Sequence, residues 1–232
     1  MKKILVVVAT FEELKSFFLS KGVKNLAVGE IFSMPSGWFA ADFMISGVGS
    51  IATACNVSRY LSKNEVCFAL NLGICGSFNS GLNLGQLVQP RSEIQLMEIE
   101  DKENYSTVFE SGIVNQNQFP FQQGVLYNKS PQLIVSKEII EVASLSSDMV
   151  HGNRNSILRI SGKYRPDVES MEGAAFFYCC LMAGVPFAEF RAVSNFVEPR
   201  DKSKWKLPLA IENLNVFLEK SLMEFEDNNS FF

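Results

Sequence analysis

The sequence contains a single histidine, His151. Any Ser-His-Asp or Cys-His relay would have to pass through that one imidazole. A metal site built from several histidines is excluded. The sequence also lacks a C-x-x-C pair. Its five cysteines, Cys55, Cys67, Cys75, Cys179 and Cys180, are odd in number and lie in apolar contexts. That pattern points to reduced thiols in a cytoplasmic protein and to no zinc. No apolar run approaches the roughly 20 residues that a membrane-spanning helix needs. Lys2-Lys3 is followed by the short apolar run Ile4 to Ala9, with no small-residue cleavage site. It reads as a first buried strand rather than a signal peptide. A basic excess is missing as well. Lys+Arg number 21 against 25 Asp+Glu, a net charge of −4, and no basic run is interleaved with aromatics. Neither a nucleic acid nor a membrane is expected as a partner.

What is present is core. Hydrophobic residues make up 47% of the 232 residues and charged residues 20%, enough for one sizeable α/β domain. Lys2 to Val8 is an apolar, β-branched run suited to a strand covered on both faces. Thr10-Phe11-Glu12-Glu13 fits a capping box opening a helix through about Ser20. A strand is predicted over Phe39–Ile45, then the turn Gly47-Val48-Gly49-Ser50 and a helix over Ile51–Leu61. Another strand covers Val66–Leu72 and is expected to end in a loop, Asn71-Leu72-Gly73-Ile74-Cys75-Gly76. A short strand at Gln86–Pro90, a helix at Asn153–Gly162 and a strand at Val168–Ser170 follow. The helix Glu172–Ala183 is stopped by Gly184 and Pro186. A strand over Phe187–Ser194 leads to a last helix that starts near Pro208 and runs to about Phe225. Ser92 to Ser130 is polar and shows no clear period. Alternation of strands and helices predicts one domain over 1–226 with a largely parallel central sheet and a frayed tail at 227–232. Ligands in such sheets gather at the C-terminal ends of the strands.

Several segments carry chemistry and a plainer reading side by side. Gly47-Val48-Gly49-Ser50-Ile51-Ala52 fits a dinucleotide fingerprint between strand and helix. The acid expected about 20 positions later is absent, for Phe68-Ala69-Leu70-Asn71 stands there. A tight turn with close backbone packing accounts for it equally. Cys75 is a nucleophile only with a base beside it; otherwise it is a small residue in a ligand-lining loop. Glu12 and Glu13 both suit a helix N-terminus, yet they also lie at the end of the first strand. Glu172 opens an apolar helix, where an acid is favourable anyway. One helix, one turn and one strand separate it from Asn195, a unit that returns both residues to one sheet edge. His151 either contacts a ligand or donates to a backbone carbonyl. The loop Glu198 to Trp205 is locally basic: a solvated rim, or the edge of a pocket.

Together these pieces resemble the nucleoside phosphorylase and nucleosidase superfamily. "NLGICGSF" is similar to its glycine-rich purine loop. "ESMEGAAFFYCCLMAGVPFAEFRAVSNF" resembles its Met-Glu helix and Arg-Ala-x-Ser-Asp strand. "VATFEEL" fits its N-terminal glutamate, and "SGVG" its later turn. The resemblance implies a three-layer α/β/α domain whose mixed, twisted sheet curls towards a barrel. It also implies cleavage of an N-glycosidic bond in a small-molecule purine nucleoside, no metal or organic cofactor, and a homodimer. Phosphorylases of the superfamily carry a Gly-Asp-Pro-x-Arg loop and an arginine before the glycine-rich loop. Here Ala9-Thr10-Phe11-Glu12-Glu13 and Asn71-Leu72 stand instead, so a phosphate would find no cationic clamp. A glutamate there suits water activation.

Carried over position by position, Glu13 is the base and Arg191 supports it. Glu172 takes the ribose hydroxyls and Met171 packs on the sugar. Cys75, Gly76, Val150 and His151 line the base, beside Ser194 and Asn195. Methylthioadenosine/S-adenosylhomocysteine nucleosidases place an aspartic acid where this chain has Asn195. An amide NH₂ donates to both N7 and O6, whereas a carboxylate repels O6. Asn195 therefore argues for a 6-oxopurine leaving group. Arg200 and Trp205 are the candidates for an anionic aromatic group at the far end of the nucleoside. An adenine-specific nucleosidase, a nucleotide-binding oxidoreductase using the Gly47 turn, and a non-catalytic purine-binding protein are the competing readings.

Overall fold

The computed structural model describes residues 2–102, 104–130 and 138–227. The first strand, β1 (Lys2–Val8), sets the architecture by its alternation. Ile4, Val6 and Val8 enter one apolar cluster, with Leu14, Phe17, Phe18, Leu214, Phe217, Leu218 and Phe225. Leu5 and Val7 enter another, with Val57, Tyr60, Phe176, Phe177 and Phe187. Successive side chains of a strand point to opposite faces, so a run that is apolar throughout requires a layer on each side. Helices α1 (Lys15–Ser20) and α5 (Leu207–Asp227) form one layer. Helices α2 (Ser50–Leu61) and α4 (Gly173–Ala183) form the other. A further helix, α3, spans Arg154–Tyr164. This is the three-layer α/β/α arrangement expected.

The remaining strands are β2 (Ile31–Ser36), β3 (Phe39–Ile45), β4 (Phe68–Ser77), β5 (Leu87–Gln95), β6 (Glu98–Asp101), β7 (Asn104–Thr107), β8 (Leu126–Tyr127), β9 (Ile140–Ser146), β10 (Val168–Ser170) and β11 (Phe187–Phe196). The main sheet runs β10-β9-β5-β11-β4-β1-β3-β2, with β8 on β5. Strand β10 also pairs antiparallel with β4, Val168 opposite Ser77. That extra pairing closes β10, β9, β5, β11 and β4 into a ring, the curl towards a barrel. The pairs β1–β3, β1–β4, β4–β11, β5–β9 and β9–β10 are parallel, and β2–β3 and β5–β11 are antiparallel.

Several boundaries differ from expectation. The glycine-rich segment 71–76 is not a loop: it continues β4, because β11 pairs with it from Ala69 to Ser77. Strand β5 runs five residues past Pro90, held by β9. Strands β2 and β9 are additions to the expected set, and 92–130 resolves into the rest of β5 with β6, β7 and β8. The first helix begins as a 3-10 turn over Phe11–Leu14. Helix α5 reaches Asp227; the rest of the expected tail, 228–232, lies outside the described residues.

Candidate active site

The C-terminal ends of β1, β4, β10 and β11 and the starts of α4 and α5 enclose a cavity of about 340 Å³. Its lining contains Glu13, Cys75, Gly76, Val150, Met171, Glu172, Ser194, Asn195 and Trp205, nine of the sequence-derived candidates. It includes no lysine or arginine among the described residues.

Glu12 and Glu13 part company in the turn after β1. Glu12 is exposed and binds Lys15 Nζ at 3.0 Å. Glu13 is buried. Its Oε2 accepts from the Thr10 backbone N–H at 2.9 Å, and its Oε1 stands 3.4 Å from the Ile74 N–H. Capping and site position are therefore the same arrangement rather than alternatives. Burial, then the charge of Glu172, pushes the Glu13 carboxyl up to about 6; the two N–H groups and Arg191 oppose this. A base with that value is ionised at neutral pH yet strong enough to take a proton from water.

Arg191, fully buried, lies behind these carboxylates. Its Nε donates to Glu189 at 2.5 Å and its Nη2 to Asn71 Oδ1 at 2.6 Å; Nη1 is 3.9 Å from Glu172. Burial works against its charge, but Glu189, Glu172 and Glu13 hold it protonated. It reaches this place because Gly73 has no side chain: a Cβ there would overlap Nη1. Glu172 in turn receives the Gly49 backbone N–H on Oε1 at 3.0 Å. The neighbouring Ser50 N–H and hydroxyl go to Asp148, at 3.0 and 2.7 Å. The amides that a dinucleotide phosphate would need are thus occupied by the protein's own carboxylates. The Gly47 turn is a latch between α2 and α4, and the oxidoreductase reading loses its support.

Asn195 sits where β11 slips register by one residue against β4, between Val193 and Asn195. Its Nδ2 donates to the Phe196 carbonyl at 3.0 Å, and its Oδ1 accepts from Ser194 Oγ at 2.8 Å. The carbonyl fixes which way the amide faces, since only the NH₂ can meet an acceptor. The second N–H remains for a ligand.

Other candidates fall in graded positions. Cys75 lines the cavity, but burial pushes its thiol far up, so it contributes shape and no thiolate. Val150 lines the cavity; His151 does not. The His151 ring is buried against Glu169, Nδ1 to Oε2 2.6 Å, because the carboxylate of β10 is a better partner than any carbonyl within reach. Arg200 is exposed outside the lining and stacks on Trp205, 5.1 Å from the ring centroid. The two therefore act as one unit at the rim. The sequence reading missed Glu169, Met149, Ile74 and Ile211, which also line the cavity. For Glu169 a signal existed: an acid inside a short buried strand, two residues before Met171.

Comparison with known proteins gives a consistent outline. The description "Phosphorylase superfamily" matches residues 24–223. A futalosine hydrolase of Thermus thermophilus is 28% identical over 187 residues, covering 78% of this chain and 81% of that protein. A 5'-methylthioadenosine/S-adenosylhomocysteine nucleosidase of Maridesulfovibrio salexigens is 26% identical over 159 residues, 66% of this chain and 67% of that one. The solved structure of a futalosine hydrolase mutant of Helicobacter pylori superposes with a TM-score of 0.78. It covers 97% of this chain and 99% of its own at 18% identity, a likeness of fold.

Proposed function

Because this chain belongs to the phosphorylase superfamily, we propose that it is a purine nucleoside hydrolase and that its nucleoside is futalosine. The observation that carries the reaction is the buried Glu13, held near 6, in the wall of a cavity that also presents Glu172 and Asn195. Phosphate would meet four carboxylates, Glu12, Glu13, Glu169 and Glu172, and no clamp in that lining. Water suits it. Glu13 takes a proton from the water as its oxygen bonds to C1′. The bond from C1′ to N9 breaks, and its electron pair leaves with the base, which takes up a proton from solvent to become neutral. Glu172 binds the ribose 2′- and 3′-hydroxyls, and its charge favours the positive sugar ring of the transition state. Met171 packs on the sugar. Arg191 holds Glu13 and Glu172 in place from behind.

The choice of base rests on Asn195, whose one remaining N–H is shared between N7 and O6 of a departing hypoxanthine. The T. thermophilus relative supports the same choice. The products are hypoxanthine and dehypoxanthine futalosine, the latter an intermediate of an alternative menaquinone route. Futalosine ends in a benzoate, and the Arg200–Trp205 pair at the rim is its proposed seat. The apolar side chains Val48, Met149 and Val150, exposed in the cavity lining, support a homodimer. The five free thiols support a cytoplasmic location, and no described helix is long and apolar enough to cross a membrane.

Incubation with futalosine, inosine and methylthioadenosine, with and without phosphate, tests this reading through the base released. Hypoxanthine from futalosine without phosphate is the expected result. Adenine from methylthioadenosine in its place would establish the other nucleosidase activity, and no base at all a binding protein.

A further inference from the structure

Behind the cavity, the ring of strands holds a second pair of carboxyl groups. Glu93 of β5 and Glu189 of β11 are both fully buried. The point where a Cβ on Gly173 would lie is 2.1 Å from Glu93 Oε1 and 2.8 Å from Glu189 Oε1. The two groups therefore share one gap at the start of α4. Their partners differ. Glu189 Oε1 receives Arg191 Nε at 2.5 Å. Glu93 Oε2 receives the Ser146 hydroxyl at 2.8 Å, whereas its Oε1 and Glu189 Oε2 have no hydrogen-bond partner among the described residues. Two buried carboxyl groups this close do not both ionise. The charge settles on Glu189, which has the guanidinium, and the proton on Glu93. Burial, then the charge of Glu189, pushes the Glu93 carboxyl well up; burial raises Glu189 too, but Arg191 opposes it.

On the other side of Arg191 stand two carboxylates of the cavity. Nη1 lies 3.9 Å from Glu172 Oε2. The point where a Cβ on Gly73 would lie is 1.9 Å from Nη1 and 3.1 Å from Glu13 Oε1. The guanidinium thus has three carboxylates around it and is hydrogen-bonded to one, Glu189, which lies outside the cavity lining. The buried thiols nearby, Cys75 beside Arg191 and Cys180 beside Glu189, are pushed up by burial and carry no charge. Resting on the reading that Glu13 is the base, we infer that Glu189 is a positioning residue for the hydrolysis: charged because Glu93 keeps the proton, it draws Arg191 back so that Glu13 keeps its lone pairs for water. Asn71 Oδ1 completes the restraint by taking Nη2 at 2.6 Å. A guanidinium bonded directly to Glu13 would make it a weaker base. Held one step behind, the same cation steadies the carboxylate without occupying it.

The test is the pH profile of kcat/KM for futalosine in the wild type, Glu189→Gln and Glu189→Asp. Glutamine keeps the shape and loses the charge, so Arg191 can turn to Glu13 and Glu172. The acid limb, near pH 6 in the wild type, should move at least about one pH unit lower. The plateau kcat should fall on the order of 10- to 100-fold, the effect of tying the base into a charged hydrogen bond, with less change in KM. Glu189→Asp keeps the charge and should keep the limb where it is. A merely structural role would lower kcat or the folded fraction and leave the limb in place. That result overturns the inference, as does an aspartate variant that behaves like the glutamine one. Infrared spectra read the proton directly. At about pH 8, where an ordinary carboxyl is ionised, the wild type should show the C=O stretch of a buried carboxylic acid, and Glu93→Gln should remove it. Absence of the band, or its persistence in Glu93→Gln, also overturns the inference. Should the wild type release no hypoxanthine from futalosine, the parent reading falls and this one with it. Release with an unmoved limb in Glu189→Gln sinks this inference alone.

Discussion

Glu13→Gln should abolish most hydrolysis and at the same time make the protein more stable at neutral pH. The carboxyl rises from 4.5 to about 6 on folding, because burial and Glu172 outweigh two N–H groups and Arg191. A group raised in this way binds its proton more tightly in the folded chain. Below about pH 4.5 both states are protonated and nothing is lost. As pH rises through about 6 the folded state must ionise a group it holds protonated, and stability falls. The full penalty is about 2 kcal/mol. A glutamine amide does not titrate, so the variant escapes it. Across denaturant titrations from pH 4 to pH 7.5, the stability difference between variant and wild type should grow by about 2 kcal/mol in the variant's favour, equivalent to about 4–8 °C in Tm. Carboxylates remote from Glu13 titrate alike in both backgrounds and cancel. Substrate affinity should survive, since the ribose clamp is untouched, while kcat collapses. Wild-type kcat/KM should show an acid limb near pH 6, with about a tenth of full activity at pH 5. Glu12→Gln, on the solvent side, is the control and should be mild. A stability difference that does not change with pH, or an active Glu13→Gln, would refute the account of Glu13 as a strained base.

Glu172→Gln should lower kcat/KM on the order of 100-fold through the lost stabilisation of the sugar cation. It should also move the acid limb of the residual activity to lower pH, because Glu172 is the second cause holding Glu13 up; unchanged kinetics would leave Glu172 a helix-start residue only. Asn195→Asp should shift the kcat/KM ratio of futalosine to its 6-amino analogue towards the analogue. A ratio that does not move would remove Asn195 as the selector of the base. Gly73→Ala places a methyl group where Arg191 Nη1 lies; it should cost about 1–3 kcal/mol of stability and reduce kcat more than it changes KM, read by denaturation and steady-state kinetics. Wild-type kinetics and stability in that variant would show that Arg191 can support the site from elsewhere.

The parts of the fold that were legible are those decided locally. The all-apolar Lys2–Val8 announces a strand with a layer on both faces, and Gly184 with Pro186 ends α4 where expected. The parts that were not legible depend on partners far along the chain. Residues 71–76 look like a loop by composition, yet they are a strand because β11 bonds them. Glu93 and Glu189 give no hint in sequence of being fully buried. They face each other inside the ring of strands, in space left by Gly173, and burial raises both carboxyls. At the site, Glu13, Glu172 and Asn195 came from the resemblance to the superfamily's motifs, since locally the two acids read equally as helix-start residues. Glu169 did not, since its place depends on meeting a histidine 18 residues earlier in the chain.

Closure of the ring has a consequence at the opposite end of the sheet. Strand β10 bonds both β9 and β4, so it offers no open ladder there. Among the described residues, the long open ladder of the main sheet is then on β2, which pairs only with β3. Such a border is where a foreign chain can add itself and start aggregation. Strand β2 carries Pro35, opposite Ala40, and proline brings no N–H to extend a ladder. The side of the molecule most open to a stray strand therefore holds a residue that interrupts one. A foreign strand adding at β2 would meet, at Pro35, a position with no N–H to offer, set by a residue far from the candidate site.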